Sequence, residues 1–244
     1  MLFRSWDEVI RYGREIARLA PDKPEGFLLL AHACQATGKE AEARKQFDRA
    51  IAVAPAQFFP YLDRALFNDW MGDAQAALAD CNQALALNPR QPQSYALRAR
   101  IQLKAGRAAE AMADCEKGLG VYALDPALLL IRAKVFATQG NLAKAVEDCQ
   151  RALLLAPSAA LTYATMGDIL LREKNYEGAV KALARAVALA PRDATAHAEL
   201  GRAYLAVRWY NSAARHLESA VALDSHMTAK LAGELAEVKN KQGK

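Results

Sequence analysis

The chain has 244 residues; 54 are alanine, 13 glycine and 9 proline, and 7% are aromatic. This mix suits closely packed helices, makes poor strands, and excludes collagen-like, mucin-like and disordered chains, which need far more proline, glycine or net charge. The formal charge is +5, with 16 basic and 15 acidic residues in 1–122 and 16 and 12 in 123–244, so the signs are interspersed and form no basic stripe of the kind that binds nucleic acid.

The first predicted helix spans Trp6–Leu19 and ends before Pro21. Met1–Glu8 lacks the basic start and apolar centre of a signal peptide, and no apolar run approaches the ~20 residues of a membrane span. From there a beat of 34 residues governs the chain: Pro21, Pro55, Pro89, Pro157 and Pro191 keep it, Ala123 stands in the missing place and Ser225 marks the next. The units are 24–57, 58–91, 92–125, 126–159, 160–193 and 194–227. A last helix, Thr228–Asn240, carries Leu231, Leu235 and Val238 on one stripe within a capping segment, 228–244, that ends in a basic tail.

Other columns keep the same beat. Ala43, Ala77, Ala111, Ala145, Ala179 and Ala213 are alanine throughout; Ala31, Ala65, Ala99, Ala133, Gly167 and Gly201 are always small. An aromatic or bulky column runs Phe27, Tyr61, Tyr95, Leu129 and Tyr163, with His197 as its exception. Gly38, Gly72, Gly106 and Gly140 mark a turn between two helices, where a left-handed conformation ends the first helix at little cost. Small inner columns let the two helices approach closely, and each unit needs its neighbours to complete a core.

These residues resemble the tetratricopeptide repeat of bacterial proteins. The family's pattern reads Phe27, Leu30-Ala31, Cys34, Ala43, Phe47, Ala50 and Pro55 in the first unit, and Tyr163, Met166-Gly167, Leu170, Tyr176, Ala179, Leu183, Ala186 and Pro191 in the fifth. The resemblance covers residues 24–227 and implies an all-α fold: a right-handed superhelical solenoid of antiparallel helix pairs. Residues 1–23 then hold only the second helix of a repeat. We therefore expect a truncated N-terminus, before which a signal peptide, lipid anchor or further domain would lie.

Cys81, Cys115 and Cys149 are one period apart, in the column of Phe47, Leu183 and Leu217, and read as small buried hydrophobes. His32, His197, His216 and His226 have no metal-binding spacing. Gly118-Leu119-Gly120-Val121-Tyr122-Ala123 matches a loose dinucleotide fingerprint but falls at a helix end, so its expected effect is mechanical. Two glycines and a missing proline predict a soft joint between the third and fourth units.

First helices line the concave face of such a stack. Helical spacing projects Leu28, His32, Phe59, Leu62, Leu66, Asp69 and Trp70 onto it from the early units. Leu97, Arg100, Lys104, Ile131 and Lys134 follow from the middle, and Arg172 and Arg202 from the later ones. Tetratricopeptide domains that clamp chaperone carboxylates use an Asn-Arg pair. Here Arg64, Arg98 and Arg132 remain, but Asp63, Leu97 and Ile131 replace the asparagine. The expected function is a non-catalytic scaffold, with no cofactor or metal, that binds a peptide or amphipathic helix bearing apolar and acidic residues. Alternatives are a bacterial envelope assembly or localisation factor and the regulatory segment of a larger enzyme. We expect neither nucleic-acid binding nor direct membrane insertion, and a cytoplasmic location, or a periplasmic or membrane-anchored one if the N-terminus is truncated.

Overall fold

A computed structural model describes residues 6–242. Its described residues form helices and turns alone, in two compact units that divide between Ala123 and Leu124. The first unit contains α1 (Trp6–Leu19), α2 (Glu25–Ala36), α3 (Glu40–Val53), α4 (Phe58–Trp70), α5 (Ala74–Leu87), α6 (Pro92–Lys104) and α7 (Ala108–Val121). The second contains α8 (Pro126–Thr138), α9 (Leu142–Leu155), α10 (Ala160–Arg172), α11 (Tyr176–Leu189), α12 (Ala194–Ala206), α13 (Tyr210–Leu223) and α14 (Met227–Gln242).

Each pair closes through a three-residue turn. Gly72 shows why the turn forms: at φ +81° it ends α4 in the left-handed region, and the Asp73 side chain then accepts the Ala76 N–H to start α5. Glycine does the same in the other turns of the first four pairs, but Lys174 and Arg208 hold φ of 62° in the last two. Proline at the start of α6 and α8 suits a first turn whose N–H groups have no intrahelical partner.

In the first unit, Ala65, Ala77 and Cys81 are fully buried at the α4–α5 crossing and pack with Leu97 and Ile101 of α6. In the second, Ala213, Leu217 and Ala220 form a core with Leu231 and Val238 of α14. A Cβ added at Gly201 would lie 2.6 Å from Leu217 Cγ, so only glycine fits that crossing. The first helices α2, α4 and α6 neighbour one another in the first unit, as α8, α10, α12 and α14 do in the second.

Three pairs carry a two-pronged ion pair across their helices. Arg64 donates from Nε and Nη2 to Asp80 at 2.9 and 2.7 Å, Arg98 to Asp114 at 2.7 and 2.6 Å, and Arg132 to Asp148 at 2.7 and 2.8 Å. Arg64 also reaches Asp48 on α3, and Arg98 reaches Asn82 on α5, each at 2.7 Å. The arginine column noted above is therefore internal bracing. The carboxylate hydrogen bonds raise the pKa of Arg64 and Arg98, keeping both charged.

Two outcomes are expected. Asp114→Ala leaves the half-buried Arg98 guanidinium without its carboxylate and should destabilise the protein by about 3 kcal/mol in a urea titration, with Asp114→Asn costing less. At the end of α7, Gly118 and Gly120 each weaken the helix by about 1 kcal/mol relative to alanine. Amide exchange across 117–124 should therefore be faster than across 83–90, and equal rates would refute the soft joint.

Candidate functional site

The projected surface residues belong to two different units and separate into buried, tied and exposed groups. In the first unit, Leu28 and Leu97 are 7% and 4% exposed and belong to the core. The neighbouring first helix covers each, which removes both from an open wall. Phe59 and Leu62 are half-buried and pack on the same cores. His32 is exposed, with Nε2 3.4 Å from Asp63 and its ring edge-on to Phe47 at 5.4 Å.

Leu66 and Trp70 remain open, at 43% and 54% exposure, and Met71 adjoins them at 38%. They stand four residues apart on α4, hence on one face. The Trp70 ring rests 6.1 Å from that of buried Phe67. Asp69, next to Trp70, is nearly buried and accepts from Arg100 at 2.9 Å and Lys104 at 3.0 Å. One carboxylate holds two half-exposed cations, so the cluster keeps a residual positive charge at a fixed place beside the tryptophan.

The second unit offers less open surface at the predicted positions. Ile131 is 8% exposed and sits in the core, and Lys134 is half-buried. Arg172 donates to the Ala137 carbonyl at 2.6 Å, linking α10 to α8. Arg202 donates to Glu234 of α14 at 3.0 Å and to Glu199 at 2.8 Å. Burial raises the Glu199 carboxyl above its ordinary pKa, against the opposing pull of Arg202. Arg172 and Arg202 therefore join adjacent first helices, a role invisible without knowing which helices are neighbours.

Reactive groups are muted. Cys34, Cys81, Cys115 and Cys149 are free and buried, and burial pushes the Cys81 and Cys149 thiols up to about 12. These two therefore stay as thiols at neutral pH. Among the described residues no group of three or more His, Cys, Asp or Glu is placed to hold a metal ion, and no helix is long and apolar enough to cross a membrane. The glycine pair of the loose dinucleotide fingerprint lies in the last turn of α7, before neither a strand nor a helix start.

An aromatic stack that the sequence did not announce runs through the last pair. Tyr204 lies between Trp209 at 5.7 Å and His216 at 5.6 Å, and His216 Nδ1 is 3.1 Å from His197 Nδ1. The other nitrogen of His197 is 3.2 Å from the Pro191 carbonyl. Burial, His197 and Arg215 lower the His216 pKa below 6.5.

Sequence profiles and solved structures agree on the class of protein. Sequence profiles of the tetratricopeptide repeat match residues 24–57, 71–126, 116–160 and 167–207. A chain of the APC/C hetero-tetramer Cut9-Hcn1 superimposes with a TM-score of 0.86 at 20% identity, over 96% of this chain and 46% of that one. This chain thus spans under half the length of that relative. A tetratricopeptide repeat protein from Parabacteroides merdae matches at 0.70 and 18% identity, over 97% and 99% of the two chains. YrrB, described as having an unusual peptide-binding site, matches at 0.55 and 23%, over 78% and 98%. No curated protein matches in sequence. The chain belongs to the tetratricopeptide-repeat family, an all-α repeat fold that serves protein–protein interaction.

The half-buried His216 ring gives a pH dependence of known sign. Its folded pKa lies below the unfolded value, so its contribution is complete above about pH 6.5 and is lost as pH falls through the folded pKa. The melting temperature should drop over that window, and His216→Gln should remove that part of the drop.

Proposed function

We propose that the chain is a non-catalytic binding module that holds a peptide or amphipathic helix of a partner protein on the first-helix face of its first unit. The observation that carries this reading is the open Leu66–Trp70 strip beside the Asp69–Arg100–Lys104 cluster. Large exposed apolar side chains cost solubility and are kept where they meet a partner. Tryptophan and arginine are the residues that most often dominate binding energy. A helix laying apolar side chains on Phe59, Leu62, Leu66 and Trp70 would bring acidic groups to Arg100 and Lys104.

The exposure of the candidates supports an order among them in this reading. Leu66, Trp70, Arg100 and Lys104 form the centre of the site, and Phe59, Leu62 and His32 its margin. Because Asp69 already fixes the two cations, a partner carboxylate meets a preformed pair and little side-chain freedom is lost on binding. The peptide-binding site described for YrrB lends the reading support at the level of the fold alone.

Affinity capture from the native host, run with the wild type and a Leu66→Ala/Trp70→Ala variant, tests the proposal. The variant should lose at least tenfold in captured partner, about 1.4 kcal/mol, while its melting temperature stays close to the wild type. Unchanged capture would take both residues out of the site.

A further inference from the structure

Trp209 is an aromatic residue at a position where the preceding pairs carry polar side chains. The residue before the second helix of a pair is Lys39, Asp73, Arg107, Asn141 or Asn175 in the preceding pairs. Asp73, Asn141 and Asn175 each accept a hydrogen bond from the backbone N–H three residues on. Trp209, like Lys39 and Arg107, supplies no such cap and forgoes that stabilisation. Its neighbour Arg208 holds φ of 62° where the first four turns use glycine, a conformation unfavourable for a side chain. Two adjacent residues thus give up stability, and both side chains face solvent.

Trp209 is 60% exposed, yet its ring is fixed by stacking on Tyr204 with the planes 18° apart. On one side it lines a cavity of about 390 Å³ with Val180 and Val207, with Glu177 and Lys181 also in the lining. It also lines a second cavity, of about 440 Å³, to which Arg208 and Lys241 contribute positive charge. Among the described residues neither Arg208 nor Lys241 forms an ion pair.

We infer that this is a second docking site, for an extended peptide of a partner protein carrying an aliphatic side chain and, one or two residues along, a carboxylate. The aliphatic group would enter the Val180–Val207 cavity, where burial against valine and indole surface is favourable. The carboxylate would meet Arg208 and Lys241, whose charges have no ion-pair partner among the described residues, in contrast to Arg100, Arg172 and Arg202. Trp209 lines both cavities, and side chains i and i+2 of an extended segment lie about 7 Å apart, which suits two adjacent subsites that share one residue. Glu177 beside the apolar cavity and the small number of cations, Lys181, Arg208 and Lys241, disfavour a nucleic acid, which needs many phosphate contacts.

The test uses the full chain and a phage-displayed library of random ten-residue peptides. Enrichment of sequences with an aliphatic residue one or two places from Asp or Glu is expected; a library without such enrichment overturns the proposal. A fluorescein-labelled synthetic copy of the most enriched peptide then serves as the probe. Trp209→Asn restores the cap found at Asn141 and Asn175, so its melting temperature should rise while peptide affinity falls at least tenfold. Unchanged affinity overturns the site whichever way the melting temperature moves. Lys241→Glu leaves the turn intact and should also weaken the peptide tenfold, at an unaltered melting temperature; retained affinity there overturns it independently. Leu66→Ala/Trp70→Ala should bind the peptide as the wild type does, since a loss would assign the peptide to the first unit's face. Self-association abolished by Trp209→Asn would make the occupant another copy of the chain and overturn the proposal.

Discussion

Everything in each unit depends on how closely the two helices of a pair approach. Alanine and glycine at the crossings set that distance. Ala65 faces Ala77 and Cys81, and Gly201 meets Leu217 so closely that even a methyl group has no room. The larger residues, Phe47, Ile101, Leu183 and Leu217, complete cores shared with neighbouring helices. Cores such as that of Ala65, Ala77 and Cys81 with Leu97 and Ile101 extend from one pair into the next, which is the physical reason that a single repeat cannot complete its core alone.

Charge is distributed with the same economy. The Arg64–Asp80, Arg98–Asp114 and Arg132–Asp148 pairs bridge the two helices of a repeat. Arg172 and Arg202 bridge one first helix to the next. These cations cannot serve a partner without breaking an internal contact, which in a partly buried place costs more than a surface pair returns. Only where the balance is uneven does charge become available outward, as at Asp69 with its two cations, or at Arg208 and Lys241.

The fold was legible because its signal is redundant. Six alanines in one column, small residues in another and glycine turns of one conformation all report the same helix pair. The candidate site was legible only in part. Leu66 and Trp70, which helical spacing puts on one face, are both exposed, since exposure along one helix follows from its own period. It misplaced Leu28, Leu97 and Ile131, because whether an apolar side chain at the edge of that face is covered depends on the next helix. Arg98 and Asp114 stand sixteen residues apart, a spacing that joins no two positions of one helix. Their pairing, repeated at Arg64 and Arg132, becomes visible only once the two helices of a repeat are folded together.

The departures from the repeat carry different information from the repeat itself. Where a column changes without loss, as when Arg98 and Asp114 become Leu200 and His216 in the last pair, one way of holding two helices has been exchanged for another: an ion pair for an aromatic stack. The turn before α13 changes in another way. Arg208 takes the left-handed position that glycine holds in the first four turns, as Lys174 does in the fifth, and Trp209 follows without a cap, as Lys39 and Arg107 do, yet the turn keeps its geometry. The Tyr204 stack holds the indole still but leaves most of it in water, so burial within the chain does not account for the exchange. A residue that weakens its own turn and remains rigid and exposed has its explanation outside the chain, and that logic, more than any motif, marks the last pair as a place of recognition.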